Sequence, residues 1–291
     1  MASAAVCSKI SLRNILYATD FSRCSDAALP FALSLARKYG SKILAAHIVS
    51  ISPFPSSSPT QAIQAVAAQA VREAREAMEH LQPAWNGIGH EKLLRKGDIW
   101  KELSKIIQEK QIDLVVIGTH GRTGVSKVLM GSVAERVYRH ASCPVLTVGP
   151  SVAGEPESVG DIHAILFPTD FSPESIAAAR YAISLAKENQ ARLYLLHVTE
   201  DHVGAVVEDR LLDQLRGLIP AGAGLSCAPR MFVEPGAPAG KIAELAEELA
   251  VDLIVFGLKR MVAFPGAGHL HASIANYAIS RAICPVLTVR G

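Results

Sequence analysis

Residues 117–133 read I-G-T-H-G-R-T-G-V-S-K-V-L-M-G-S-V, and what flanks them decides the fold. Upstream, the apolar run Ile112 to Ile117 reads as a buried strand. Downstream, Ala134-Glu135-Arg136-Val137-Tyr138 reads as a helix. A strand, a glycine-rich loop and a helix N-terminus form an anion cradle, because unpaired backbone N–H groups and the positive end of the helix dipole converge there. Gly118 and Gly121 allow a tight turn and close approach of backbone to a ligand. Gly131 and Ser132 place N–H groups and a hydroxyl at the helix start. The spacing, G-x2-G-x9-G-S, is neither the P-loop with its Gly-Lys-Ser/Thr nor the dinucleotide pattern G-x-G-x-x-G.

Outward from this loop, strands and helices alternate. Asn14–Ala18 reads as a first strand, and Thr19-Asp20-Phe21-Ser22 closes it and opens a helix over about Cys24–Tyr39, stopped by Gly40. Pro30 is placed near the first turns of that helix. Lys42–Val49 is a second strand, Ser52–Pro59 a Ser/Pro-rich loop, and Gln61–Leu81 a helix. Glu91–Arg95 is a third strand, Ile99–Glu109 a helix capped by Asp98, and Val145–Val148 the last strand. Residues 1–12 read as a loose leader. Alternation of this kind means parallel pairing in a three-layer α/β sandwich.

After residues 151–160, which read as a linker, the pattern restarts. Ile165 to Ser172 repeats Ile15 to Ser22, and His197-Val198 repeats His47-Ile48. Asp252 to Gly257 repeats Asp113 to Gly118, and Cys284 to Val289 repeats Cys143 to Val148. The offset falls from 150 to 139 between the second and third strands and rises to 141 after the loop. The chain therefore divides into a first domain, 1–150, a linker, 151–160, and a second domain, 161–291.

The loop resembles the nucleotide-binding motif of the universal stress protein family, in its ATP-binding branch. Tyr17-Ala18-Thr19-Asp20-Phe21-Ser22, Ala46-His47-Ile48-Val49 and Cys143-Pro144-Val145-Leu146-Thr147-Val148 carry the resemblance with it, in family order and in two copies. It implies two Rossmann-like domains of the adenine nucleotide alpha hydrolase-like kind, each a five-stranded parallel sheet of order 3-2-1-4-5 between helices. It implies ATP with Mg²⁺ as ligand and a stress-response, regulatory role. Ala18, Thr19, Asp20 and Ile48 would line the adenine and ribose side. Gly118, Thr119, Gly121, Gly131, Ser132 and Val133 would surround ribose and phosphates, with His120, Arg122 and Lys127 either against them or in solvent. In the family the last strand often pairs across a dimer, so Val145–Val148 and Val286–Val289 are expected to make a pseudo-dimer within the chain; a further homodimer stays open. Ala18 stands where proline is usual in the family, and the second copy has Pro168.

The second copy keeps Asp170 and Gly257 but loses the loop. Arg260 stands for Gly121 and Ala272-Ser273 for Gly131-Ser132, with two residues inserted between. A side chain where a phosphate needs bare backbone argues against ATP there. An anion site from Lys259, Arg260, His269 and His271, with Ser273 opening a helix, is the alternative.

The bland readings have weight. Asp20 could serve only to cap the following helix, as Asp170 would in a copy without the loop. His47 and His197 recur at an intact and a broken site, which argues for a structural role. His269 and His271 lack a third metal ligand placed by spacing. Cys143 and Cys284 read as buried, and Cys24, near a helix start, as packed. No nucleophile, base and orienter form a catalytic set, so hydrolysis of ATP, if any, should be slow. A slow hydrolase, and an interaction module that binds no nucleotide, are the competing readings.

Composition narrows the class. A length of 291 residues suits two domains, and 49% hydrophobic with only 5% aromatic residues suits an α/β protein. A net charge of +2 gives no reason to expect nucleic acid or a membrane surface as partner. Five cysteines without C-x-x-C are neither a disulfide framework nor a zinc pattern. No signal peptide and no membrane span are read, so a cytoplasmic location is expected.

Overall fold

The computed structural model describes residues 10–50, 60–81, 85–119, 130–152, 161–258 and 269–290. In the first half they form β1 (Asn14–Ala18), α1 (Arg23–Tyr39), β2 (Lys42–Val49), α2 (Thr60–His80), β3 (His90–Lys96), α3 (Ile99–Glu109), β4 (Leu114–Gly118), α4 (Ser132–His140) and β5 (Val145–Val148). The second half repeats the order as β6 (Ala164–Pro168), α5 (Pro173–Asn189), β7 (Arg192–Thr199), α6 (Ala205–Gly217), β8 (Arg230–Pro235), α7 (Pro238–Glu248), β9 (Leu253–Leu258), α8 (His269–Arg281) and β10 (Val286–Arg290).

Within each half the strands are parallel and ordered 3-2-1-4-5, and the two sheets join into one ten-stranded sheet, β3-β2-β1-β4-β5-β10-β9-β6-β7-β8. The central strands are apolar on both faces, as a sheet covered by helices on both sides requires. Alternation sorts the layers. Ile15 and Tyr17 face the core shared with α1, while Leu16 and Ala18 face the core under α3 and α4.

The halves meet at an antiparallel β5–β10 seam, with Leu146 opposite Leu287, Thr147 opposite Val286 and Val145 opposite Thr288. The buried hydroxyls of Thr147 and Thr288 donate across it to the carbonyls of Val286 and Val145, each at 3.1 Å. Flanking contacts lock the seam on both faces. Tyr39 Oη donates to Glu188 Oε2 (2.6 Å) between α1 and α5. Tyr138 Oη donates to Asn276 Oδ1 (2.8 Å) between α4 and α8. The expected pseudo-dimer strand pairing is thus seen within one chain.

Several local expectations change. Residues 10–12 are not loose: Leu12 is buried, and the Ile10 N–H donates to Glu188 Oε1 at 2.8 Å. Pro30 lies inside α1, in its third turn, removing the N–H that would bond the Asp26 carbonyl. Ala28, Ala32, Leu33 and Ala36 bury the helix around it, and that packing outweighs one lost bond. β4 starts at Leu114 rather than Ile112, because the Asp113 carboxylate turns aside to take the N–H groups of Arg13 (2.7 Å) and Asn14 (2.9 Å). α8 starts at His269, so Ser273 is inside it and does not open it; its backbone N–H belongs to the helix ladder. That removes the helix-start anion site drawn for Ser273. The rest of the linker, the Ser/Pro-rich loop, and residues Lys127, Lys259, Arg260 and 261–268 lie outside the described residues, as do the side chains of His269 and His271.

The cysteines follow their surroundings. Cys284 is buried, while Cys143 is only half-buried, contrary to the sequence reading. Burial, reinforced by the charge of Asp113 at Cys143 and of Asp252 at Cys284, pushes each thiol up to about 12. At pH 8 both thiols thus stay protonated. Iodoacetamide on the native protein should therefore modify exposed Cys227 and spare Cys143 and Cys284. Peptide mapping checks this; comparable labelling of all three would contradict the packing described.

Candidate functional site

β1 and β4 lie side by side where the strand order reverses, so their C-terminal ends open a crevice. Four segments converge on it. The first is the turn after β1. The Thr19 N–H donates to the Ala46 carbonyl (3.0 Å), tying the turn to β2. Thr19 Oγ1 accepts from the Phe21 N–H (2.9 Å), and Asp20 Oδ1 accepts from the Ser22 N–H (3.1 Å). Phe21 is held at φ 58°, a left-handed conformation uncommon for a residue with a side chain. The N-cap of α1 is Ser22, whose hydroxyl accepts from the Ser25 N–H. The capping role weighed for Asp20 belongs to its neighbour; Asp20 instead closes a small turn of its own.

The second segment is the end of β2, where His47, Ile48 and Val49 are buried. The third is the end of β4. Thr119 is fully buried, and its N–H donates to the Val148 carbonyl (3.0 Å) while its carbonyl takes the Gly131 N–H (2.7 Å). The two ends of the 120–130 loop are therefore clasped together. The fourth is the N-terminus of α4. Gly131 is its N-cap at φ −62°, ψ 140°, and no side chain among the described residues caps that end. The first-turn N–H groups of Ser132 and Val133 have no intrahelical acceptor by geometry.

These segments enclose a cavity of about 490 Å³. Ala18, Thr19, Asp20, Ile48, Gly118, Thr119, Gly131, Ser132 and Val133, all expected in the site, line it together. His120, Gly121 and Arg122 lie outside the described residues. Ala70, Glu73 and Ala74 of α2 and Ile99 and Leu103 of α3 also line it. Sequence reasoning missed these five, because they sit on ordinary amphipathic helices and only the packing brings them over the crevice. Near the site, Asp26 is held above the usual carboxylate range by burial and then by the charge of Asp20. Burial pushes Tyr17 up to about 12, keeping its hydroxyl a donor, and it donates to the Ser25 carbonyl (2.9 Å) under the start of α1.

Gly118 has a packing role besides its place in the cavity lining. A Cβ there would lie 2.5 Å from the Cys24 carbonyl oxygen, within the first turn of α1. A Cβ on Gly257 would lie 2.5 Å from Ser175 Cα, at the same place in the second half. Both glycines are required by helix–strand packing, with or without a nucleotide loop.

A second cavity, about 260 Å³, lies at the seam among Phe31, Tyr181, Leu146 and Leu287. Its Asp252 carboxylate already accepts from the His163 (2.7 Å) and Ala164 (2.9 Å) N–H groups. It lacks the convergence of polar backbone that marks the first cavity as the candidate site. Among the described residues no cluster of three or more His, Cys, Asp or Glu side chains is arranged to hold a metal ion. No helix among them is long and apolar enough to cross a membrane.

The model of the universal stress protein family matches residues 11–149 and again 162–290. Universal stress protein MJ0531 of Methanocaldococcus jannaschii is 32% identical over 139 residues, which are 47% of this chain and 81% of that one. Universal stress protein Mb2019 of Mycobacterium bovis is 28% identical over 211 residues, 67% of this chain and 63% of that one. A universal stress protein of Archaeoglobus fulgidus, of known crystal structure, superposes with a TM-score of 0.72 at 21% identity, covering 97% of both chains. With two matches of the family model in succession and the fold shared along its whole length, the chain belongs to the universal stress protein family, as a tandem of two family domains.

Proposed function

We propose that the first half binds ATP, with Mg²⁺ carried in on the phosphates, and that the second half is a degenerate partner without this site. The protein then acts as a nucleotide-dependent regulator in a stress response rather than as an efficient enzyme. The observation that carries this reading is the cavity: it is of nucleotide size, and nine residues expected from the motifs line it together. Ala18, Thr19, Asp20 and Ile48 lie where base and ribose would rest. Gly131, Ser132 and Val133 offer a helix N-terminus to phosphates.

The donor set suits this ligand. A glycine N-cap at a helix end that no described side chain caps leaves room for an anion, and Asp20 offers a carboxylate to ribose hydroxyls. Mg²⁺ bound to nucleotide needs only one or two protein carboxylates, so a dedicated cage of acidic side chains is not required. The Mg²⁺ would shield phosphate charge; the chain's own groups bind and orient the nucleotide.

The test is mass spectrometry of the small molecule released on heat denaturation, with its stoichiometry. About one ATP per chain is expected, at the site in the first half. Two per chain would overturn the degenerate assignment of the second. None, with no calorimetric binding of added ATP-Mg, would leave the interaction-module reading in its place.

A further inference from the structure

The first half shares one arrangement with the second down to its angles. His47 Nδ1 lies 2.8 Å from the Thr19 carbonyl oxygen, and His197 Nδ1 lies 2.9 Å from that of Thr169. His47 packs on Phe21 with ring centroids 4.6 Å apart at 35°, and His197 on Phe171 at 4.6 Å and 36°. Phe21 and Phe171 stand at φ 58° and 59°. Ser22 and Ser172 donate their N–H groups to Asp20 (3.1 Å) and Asp170 (3.0 Å). A carbonyl oxygen only accepts, so each imidazole carries its proton on Nδ1.

The surroundings of the two arrangements differ. His47, Ile48 and Val49 are buried, and His47 lines the cavity with Asp20. His197, Val198 and Thr199 are half-buried and Asp170 is exposed. The first half has α2, a helix of 21 residues that supplies Ala70, Glu73 and Ala74 to the cavity wall; its counterpart α6 has 13.

We infer that His47 is a positioning residue for the nucleotide: its Nδ1–H bond to the Thr19 carbonyl and its ring against Phe21 fix the 19–22 turn that presents Asp20 to the cavity. A left-handed phenylalanine costs energy and persists only where its neighbours hold it. The Thr19 hydroxyl holds the Phe21 N–H, and His47 holds the Thr19 carbonyl and the Phe21 ring. Without the histidine the turn relaxes, and Asp20 leaves its place although its own bond to Ser22 is untouched. His197 does the same mechanical work in a half where no nucleotide reads it, which makes it a control inside the same molecule. This inference rests on the ATP-binding reading above.

The experiment compares ATP-Mg affinity, by calorimetry on the full chain, for His47→Ala, His47→Asn, His47→Gln and His197→Ala, alongside their melting temperatures. His47→Ala should weaken binding about tenfold, the scale of one positioning hydrogen bond. Asn places its amide N–H where Nδ1–H stands and should recover most of the affinity; Gln, a carbon longer, should not. His197→Ala should lose a similar margin of thermal stability and keep the wild-type affinity. Unchanged affinity in His47→Ala overturns the role and leaves ATP binding standing. Equal weakening by His197→Ala overturns it too, because the histidines would then act through overall stability. ¹⁵N NMR of the imidazoles gives a readout independent of nucleotide: a protonated Nδ1 in His47 is expected, and an unprotonated one overturns the assignment. Wild-type protein that binds no ATP-Mg overturns the site reading, and the role with it.

Discussion

Gly118→Ala should cost the protein about 3 kcal/mol, the upper end of what forcing an atom into a packed interior usually costs. For a protein of this size that is roughly a 5 °C fall in melting temperature. The new Cβ would sit 2.5 Å from the Cys24 carbonyl oxygen, about 1 Å inside a comfortable contact. The obstructing atoms are the backbone of the first turn of α1, which Ser22 caps and Tyr17 and Thr19 hold by hydrogen bonds, so nothing there swings aside cheaply. Gly257→Ala should cost as much, since its Cβ would meet Ser175 Cα at 2.5 Å. Circular dichroism melts of both variants decide the matter. A melting temperature unchanged in either would mean that helix and strand lie further apart than described. The matched loss separates this role from nucleotide binding, because it falls equally on the second half, where Arg260 and Ala272 stand in place of Gly121 and Gly131.

Gly131→Phe should do the reverse: abolish nucleotide binding and leave the fold nearly unchanged. Its angles, φ −62° and ψ 140°, lie in the broad extended region open to any L-residue, so no backbone strain is introduced. A phenyl ring at the N-cap of α4 instead fills the space where the phosphates would meet the Ser132 and Val133 N–H groups. In the wild type, ATP-Mg at one hundred times its dissociation constant should add about 2.7 kcal/mol of stability, a shift of several degrees. In Gly131→Phe that shift should vanish while the melting temperature without nucleotide stays close to wild type. A retained shift would remove α4 from the site. Together the two glycines divide the loop's work: the first seats the strand against α1, and the second clears the helix end.

Most of the architecture was legible in the chain because it is written in local pattern. β1, β2, α3 and β5 fall where the apolar runs, the Asp98 cap and the glycine stops place them. The internal repeat made the two-domain arrangement readable, since one supersecondary unit written twice must fold twice. The motifs marked nine residues that the structure brings into one cavity, because strand order reverses between β1 and β4 and motif residues sit at strand ends.

The tertiary structure alone decided the rest. That α2 and α3 wall the cavity depends on how helices settle on the sheet, and Ala70, Glu73 and Leu103 carry no mark of it in the sequence. That Ser22 rather than Asp20 caps α1 depends on which oxygen reaches which N–H, a matter of tenths of an ångström. That Ser273 lies inside α8 rather than at its start was likewise a matter of the folded structure. The sequence by itself determined the repeat and the alternation of strands and helices, because periodicity and spacing are one-dimensional properties; the strand order and the candidate ligand came from the family resemblance of its motifs. Why Gly118 is glycine, and what His47 holds, became visible only in three dimensions, because both answers are distances to residues far away in the chain.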